Sequence, residues 1–323
     1  MSHTLRRSVP ALAWACLVPA LFAPAAAAGF EFKDTKGEHL DVVLDGRVVA
    51  RWMYAYDKST PERLHETYKP YLHIFDPGGT KPITKGAGGR YSHHRGIFCG
   101  WKVTAAGKTY DFWHILRDLK NCEKNLTQPS HLMLHQKFLD QKAGADGASF
   151  TAVIHWNDPQ GTVLVEEART HVFTRRPAPA IVQVDFVTRL KAVAGDAKFG
   201  GDPEHAGVQY RPADEVDPKQ TKYAFPQGVA NLKKAPDLPW AAGQHTIEGK
   251  TYSVLCVNHP ANPRGTVYSA YRDYGRFGAY PVFDVKQGAE QVLRYRFLVM
   301  QGEMPPAAQL QKEADAFARA PTK

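Results

Sequence analysis

Between Tyr91 and His114 the chain places Ser92-His93-His94-Arg95-Gly96 and then Asp111-Phe112-Trp113-His114. Imidazoles can give or take protons near neutral pH, and a guanidinium can hold a carboxylate or a hydroxyl pair by its fork. An indole beside them offers a face on which a pyranose ring can pack. The mixture fits a polar small-molecule site, a saccharide cleft above all. In an extended segment adjacent side chains point to opposite faces, so His93 and His94 should not serve the same atom. If Asp111 to His114 is also a strand, Asp111 and Trp113 share a face. Asp111 would then accept hydroxyl hydrogen bonds while Trp113 stacks, unless Trp113 is a core residue beside a solvated aspartate.

Other segments add candidates. Val163, Val165, Glu167, Arg169, His171 and Phe173 alternate onto one face of an extended run. Ionised groups are costly to bury unless paired or used. Glu167 is therefore the general-base candidate, with Arg169 setting its charge state, or else the stripe is an ion-pair ladder facing solvent. Glu204 and His205 bring another acid and imidazole. His259-Pro-Ala-Asn-Pro-Arg264 is a turn-rich loop, and Tyr271-Arg272-Asp273-Tyr274 adds two phenols and a guanidinium. His93, His94, His114, Glu167 and His171 could offer nitrogens and an oxygen to zinc or copper. No spacing among them is metal-specific, so no metal or other cofactor is expected. No phosphate loop, nucleophile elbow or dinucleotide fingerprint is present.

The scaffold that must position these groups reads as β-structure almost throughout. Leu40–Asp57, Tyr71–Asp76, Gly96–Thr104, His131–Leu139, Phe150–Trp156, Thr162–Phe173, Ile181–Leu190, Thr251–Val257, Arg276–Phe283 and Gln291–Met300 are rich in β-branched and aromatic residues. Helical signal is confined to the end, where Pro305-Pro306 precedes a stripe of Leu310, Ala314 and Phe317. The expected fold is an all-β sandwich or larger folded-over sheet, with a C-terminal helix on the sheet edge. Gly200 to Ala242 reads as an elaborated loop across the site.

Arg6 and Arg7, an apolar stretch from Ala11 to Ala25 and Ala26-Ala27-Ala28 read as a signal peptide over residues 1–28. That leaves residues 29–323 as one domain, in the periplasm or secreted. No later segment reaches the roughly 18 uncharged apolar residues of a membrane span. Losing the two arginines lowers the formal charge from +9 to +7. Without a lysine/arginine run this reads as a solubility feature, not a nucleic-acid groove. Cys99, Cys122 and Cys256 allow at most one intramolecular bridge, and the pairing stays open.

Several motifs in order resemble the secreted bacterial domain family that carries the label PmoA, or methane oxygenase. They are Tyr71-Leu-His-Ile-Phe-Asp-Pro-Gly-Gly79 with Pro82-Ile-Thr84, His93-His-Arg-Gly96, Asp111-Phe-Trp113, Glu167 and Arg169, Glu204, His259-Pro-Ala-Asn-Pro-Arg264, and Arg272-Asp-Tyr-Gly275. The chain departs from that pattern at His205, in place of glycine, and at Asn258, in place of aspartate. The label does not carry a function, since a methane monooxygenase membrane subunit needs several transmembrane helices and this sequence has none. The resemblance extends in outline to aldose-epimerase-like, galactose-mutarotase-like supersandwich proteins, which implies a carbohydrate ligand.

The expected activity is acid/base proton transfer on a saccharide or sugar derivative: epimerisation, elimination or hydrolysis. Glu167 or Glu204 would be the base and His94 or His114 the acid. His93, Arg95, Asp111, Trp113, Arg169, His205, Arg264 and Arg272 would bind the substrate. A non-catalytic saccharide-binding module and a periplasmic metal-binding protein are the alternatives.

Overall fold

The computed structural model describes residue 1 and residues 29–114, 131–229 and 231–320. The expected leader, and Cys122, lie outside the described residues. Within them the strands form three antiparallel sheets. The first runs in the order Phe30–Thr35, His39–Leu44, Arg47–Met53, Tyr71–Ile74, Ile97–Gly100, Gly207–Tyr210, Phe277–Tyr280 and Val267–Tyr268. The second runs Lys222–Ala224, Trp240–Ile247, Lys250–Asn258, Glu290–Gln301, Ala180–Ala192, Val163–Thr174, Gly147–Asn157 and Leu132–Ala143. A four-stranded third sheet joins Phe283–Val285, Ala197–Gly200, Lys102–Ala105 and Lys108–Asp111. The two large sheets bury one core between them, so the architecture is the expected all-β supersandwich.

The long β-rich stretches divide where local chemistry turns the chain. Leu40–Asp57 is a hairpin rather than one strand, because Asp45 and Gly46 take positive φ (50° and 78°), as a tight hairpin turn requires. Gly96–Thr104 and Arg276–Phe283 each supply one strand to the first sheet and one to the third. The segment expected as a loop across the site instead threads Gly207–Tyr210 through the middle of the first sheet.

A short helix, Pro61–Thr67, was not legible from periodicity. Thr60 caps it through its hydroxyl, and Pro61 suits its first turn. The C-terminal helix Ala307–Ala318 buries Leu310, Ala314 and Phe317 as expected. It covers a sheet face and not an edge, because Trp240, Leu255, Val257 and Leu298 point outward from the second sheet and need cover. No helix among the described residues is long and apolar enough to cross a membrane.

The stripe on Val163–Thr174 faces inward. The Glu167 carboxylate accepts from Arg169 Nε (2.6 Å) and Nη2 (2.8 Å), Trp156 Nε1 (2.8 Å) and Thr188 Oγ1 (2.8 Å). Both members of the pair are fully buried, and Arg169 also reaches Cys99 Sγ from the first sheet. Neither a solvent-facing ladder nor a substrate-facing base describes this pair; it is a cross-strut inside the sandwich. Cys99 and Cys256 are buried free thiols, and burial pushes both well above the usual thiol range.

Candidate functional site

The strand Ile97–Gly100 has two different neighbours on its two faces. Ile97 and Cys99 belong to the sandwich core, whereas Phe98 points outward with Tyr71 and Trp113. Loops fold over that outer face and carry the histidines to it.

His93 and His94 lie in a turn, with His94 N–H donating to Tyr91 O at 2.8 Å. Tyr91 has φ +56°, so the alternation expected of a strand does not hold. Both rings consequently enter one cluster, with centroids 4.2 Å apart. His93 is 4.7 Å from His114, and His114 is 5.1 Å from His205. Four imidazoles thus form a chain from a buried end at His94 to an open end at His205, whose side chain is 42% exposed.

Two of the four are aligned by their own aspartates. The strand ends at Asp111, and Phe112 to His114 is a turn. Asp111 Oδ1 accepts the amides of Trp113 and His114 at 3.1 Å each, and Asp111 Oδ2 lies 2.7 Å from His114 Nδ1. Burial would raise the Asp111 carboxyl, but the hydrogen bond and charge of His114 outweigh it and hold it below the usual range. An ionised carboxylate only accepts, so Nδ1 must carry the proton and Nε2 is the basic nitrogen. Asp202 repeats the arrangement at His205, with Oδ1 2.9 Å from Nδ1 and accepting the His205 amide. Burial acts on Asp202 in the same upward sense and is outweighed by His205.

Glu204 sits beside His205. Its carboxylate accepts from the Tyr271 hydroxyl at 2.9 Å and from the Arg272 guanidinium. Burial would raise it, but those two hydrogen bonds keep it below the ordinary glutamate value. Arg276 lies close enough to lower Glu204, His93 and His94 together. It is fully buried, with Nη1 donating to Gln209 Oε1 (2.7 Å) and Ser269 Oγ (3.0 Å).

The structure thus brings together His93, His94, Asp111, His114, Glu204, His205 and Arg272, and it reassigns several of the expected roles. Burial, then the charges of His93 and Arg276, lowers His94 well below the usual histidine value, and both its nitrogens are buried without a partner. His94 is therefore a neutral wedge between Trp113 and Tyr274 rather than an acid. Trp113 is fully buried on Phe98 and cannot stack on a sugar; the accessible aromatic ring is Tyr91, packed on Tyr274. Arg95 braces the site from beneath by donating to the carbonyls of Ser92, His65 and Glu66. Glu167 and Arg169 lie on the opposite side of Ile97–Gly100, so a role as base or substrate anchor gives way to the core strut. Arg264 is exposed beside Asp237, away from the cluster near the C-terminal helix.

Sequence reasoning missed Asp202, Lys69 and Arg276. The repeated Asp-x-x-His spacing, Asp111 to His114 and Asp202 to His205, was the available signal for the first. Lys69 gave none: it is buried, donates to Trp113 O at 2.8 Å and lies over the Phe98 ring. Burial, then the Arg95 charge, lowers its ammonium well below the usual lysine value. Among the described residues no three His, Cys, Asp or Glu side chains are grouped so as to hold a metal ion.

The close approach of the Asp111 turn to the sheet depends on Gly100. A Cβ there would lie 2.6 Å from Phe112 O and 2.9 Å from Trp113 Cα. The short Asp111–His114 hydrogen bond should give His114 a slowly exchanging Nδ1–H signal in NMR spectra, and Gly100→Ala should displace the turn and abolish it. Retention of that signal would show that the turn does not need the glycine.

A comparison with curated proteins found no match. Among solved structures, a heparan sulfate lyase HepC mutant from Pedobacter heparinus matches at TM-score 0.43 and 10% identity, covering 85% of this chain and 37% of that one. A protein assigned as an aldose 1-epimerase from Escherichia coli K12 matches at TM-score 0.33 and 9% identity, covering 85% of this chain and 100% of that one. The chain thus spans little more than a third of the lyase's length. A family model matches residues 39–315, and the chain belongs to that family, the family of unknown function DUF6807.

Proposed function

We propose that this chain is an exported enzyme that moves a proton on a saccharide or sugar derivative, in an epimerisation or an elimination. The observation that carries the reading is the pair His114 and His205. Each has its Nδ1–H committed to an ionised aspartate, and their rings are 5.1 Å apart. Arranged this way the two rings can divide the work: the unprotonated Nε2 of one takes a proton from carbon, while the other, starting as the imidazolium, returns the proton carried on its own Nε2. An Asp–His pair also stabilises the imidazolium formed midway, as the carboxylate does in a catalytic triad. The Glu204 carboxylate, with Arg272 and Tyr271, provides acceptors and donors for hydroxyl groups at the rim. Tyr91, 39% exposed, offers the apolar face a pyranose needs. The resemblance to the secreted PmoA-labelled domains and the signal-peptide-like N-terminus support a site of action outside the cytoplasm.

The test is incorporation of solvent deuterium into a panel of mono- and disaccharides and their uronates, followed by NMR. With a substrate in hand, His114→Gln should lower turnover by at least about 100-fold, the lower end of what a positioned acid or base contributes. A variant that loses affinity but exchanges deuterium at the wild-type rate once saturated would leave His114 a binding group. Absence of exchange by the wild type across the panel, with saccharide binding retained, would make the chain a binding module.

A further inference from the structure

The loop His259-Pro-Ala-Asn-Pro-Arg264 takes no part in the histidine cluster. It lies across the second sheet, on the face that the C-terminal helix covers, and it walls a groove of about 300 Å³. The floor is Val172 and Val187, the walls are Phe317 and His259, and Arg189 and Arg294 line it. That volume is at the small end of ligand-binding pockets.

The groove is preformed. Asn262 pins the loop to the neighbouring strand by accepting Arg294 N–H and donating to Arg294 O, both at 2.8 Å. The His259 ring meets the Phe317 ring edge-on at 5.2 Å. Its Nδ1 accepts the Ala261 amide at 3.1 Å, so in the neutral ring Nε2 carries the proton and is a donor.

The charge in the groove is unbalanced. Asp185 is held by both arms of Arg296, at 2.6 and 2.8 Å. The Arg189 and Arg294 side chains have no hydrogen bond or ion pair among the described residues, and Arg294 Nε is buried without a partner. Burial, then the Arg189 charge, lowers Arg294, so the two guanidiniums repel one another across the groove. Two free guanidinium forks and a ring N–H over an apolar floor leave donors with nothing to bind. A carboxylate matches a guanidinium fork, and an apolar body attached to it would cover Val172 and Val187.

We propose that this groove is a second binding site, for a small organic carboxylate with an apolar body. Arg294 and Arg189 hold the carboxylate, and the sheet floor and Phe317 hold the body. The site is independent of the histidine cluster, because the core of the sandwich lies between them.

Saturation-transfer NMR with benzoate, benzamide and inorganic phosphate as probes tests the proposal. Benzoate should bind to the wild type, more weakly as salt rises, while benzamide and phosphate bind at least about 10-fold more weakly. Arg294→Gln should weaken benzoate at least about 10-fold, the loss of one charge-assisted pair at 1.4 kcal/mol per decade. His114→Gln should leave benzoate binding unchanged. Arg294→Gln breaks no side-chain contact, so its unfolding midpoint should stay near the wild-type value. Arg189→Gln, at an exposed and unpaired position, repeats the measurement if it does not. Equal binding of benzamide and benzoate, phosphate competing as well as benzoate, or undiminished binding by both arginine variants would each overturn the site.

Discussion

Lowering the pH from 7 to 5 should unfold this protein. Burial lowers His65 and His135 to about 4, and His73 and His245 to about 3. The unfolded chain takes up a proton at each near 6.5, so it binds more protons than the native state throughout the interval from 6.5 down to 4. The native state is fully favoured above 6.5, and stability is lost as pH falls through that window. At 1.36 kcal/mol per pK unit, each imidazole costs about 2 kcal/mol at pH 5, or about 8 kcal/mol for the four. His93, His94 and His171 are lowered in the same direction, chiefly by burial. Native domains typically have only about 5–15 kcal/mol in total. Tryptophan fluorescence against pH should show a cooperative transition between about 6 and 4.5. His245→Phe should make that transition shallower by about one proton. A native signal persisting at pH 4 would mean that these imidazoles are not buried as described.

Arg169→Met should destabilise the fold by about 3–5 kcal/mol, the cost of stranding one member of a buried ion pair. Glu167 would keep Trp156 and Thr188 as partners but lose both arms of the guanidinium. Its carboxyl would then have to take up a proton or remain charged in the core. Replacing both, as Glu167→Leu with Arg169→Met, should recover most of the loss, because two apolar groups leave no orphaned charge. Urea unfolding of the wild type, the single variant and the double variant measures all three. The His114 Nδ1–H signal should persist in the folded variants, since the pair and the histidine cluster occupy opposite faces of Ile97–Gly100. A single variant within 1 kcal/mol of the wild type would rule out the strut.

Alternation along Val165–Phe173 was correct about which residues share a face but silent on which way that face points, and at its start a bulge between Val163 and Val165 puts Leu164 rather than Val163 in the core. Glu167, Arg169 and His171 look like a solvent pattern, and it is the approach of Trp156, Thr188 and Cys99 from other strands that lets the Glu167–Arg169 pair be buried. Tyr91 hid a turn, because a tyrosine at positive φ has none of the glycine or asparagine signature that marks such positions. The placement of Gly207–Tyr210 between Ile97–Gly100 and Phe277–Tyr280 depends on pairings far apart in the chain, beyond any local period. The residues that could do chemistry were nonetheless largely legible. His93, His94, Asp111, His114, Glu204, His205 and Arg272 converge as a polar set, although Trp113, Arg95 and the Glu167–Arg169 pair serve the scaffold.

Because Asp111 and His114 sit three positions apart within one turn, as do Asp202 and His205, each tethered ring travels with its own anchor. The gap between the rings is governed by something else: the hairpin that presents one and the loop that presents the other. Lengthening or shortening that loop would change the distance between the two rings without altering which nitrogen of either is unprotonated in the neutral ring. For the proton transfer proposed above, a scaffold wired this way would diversify its substrates by loop exchange while leaving its proton handling intact.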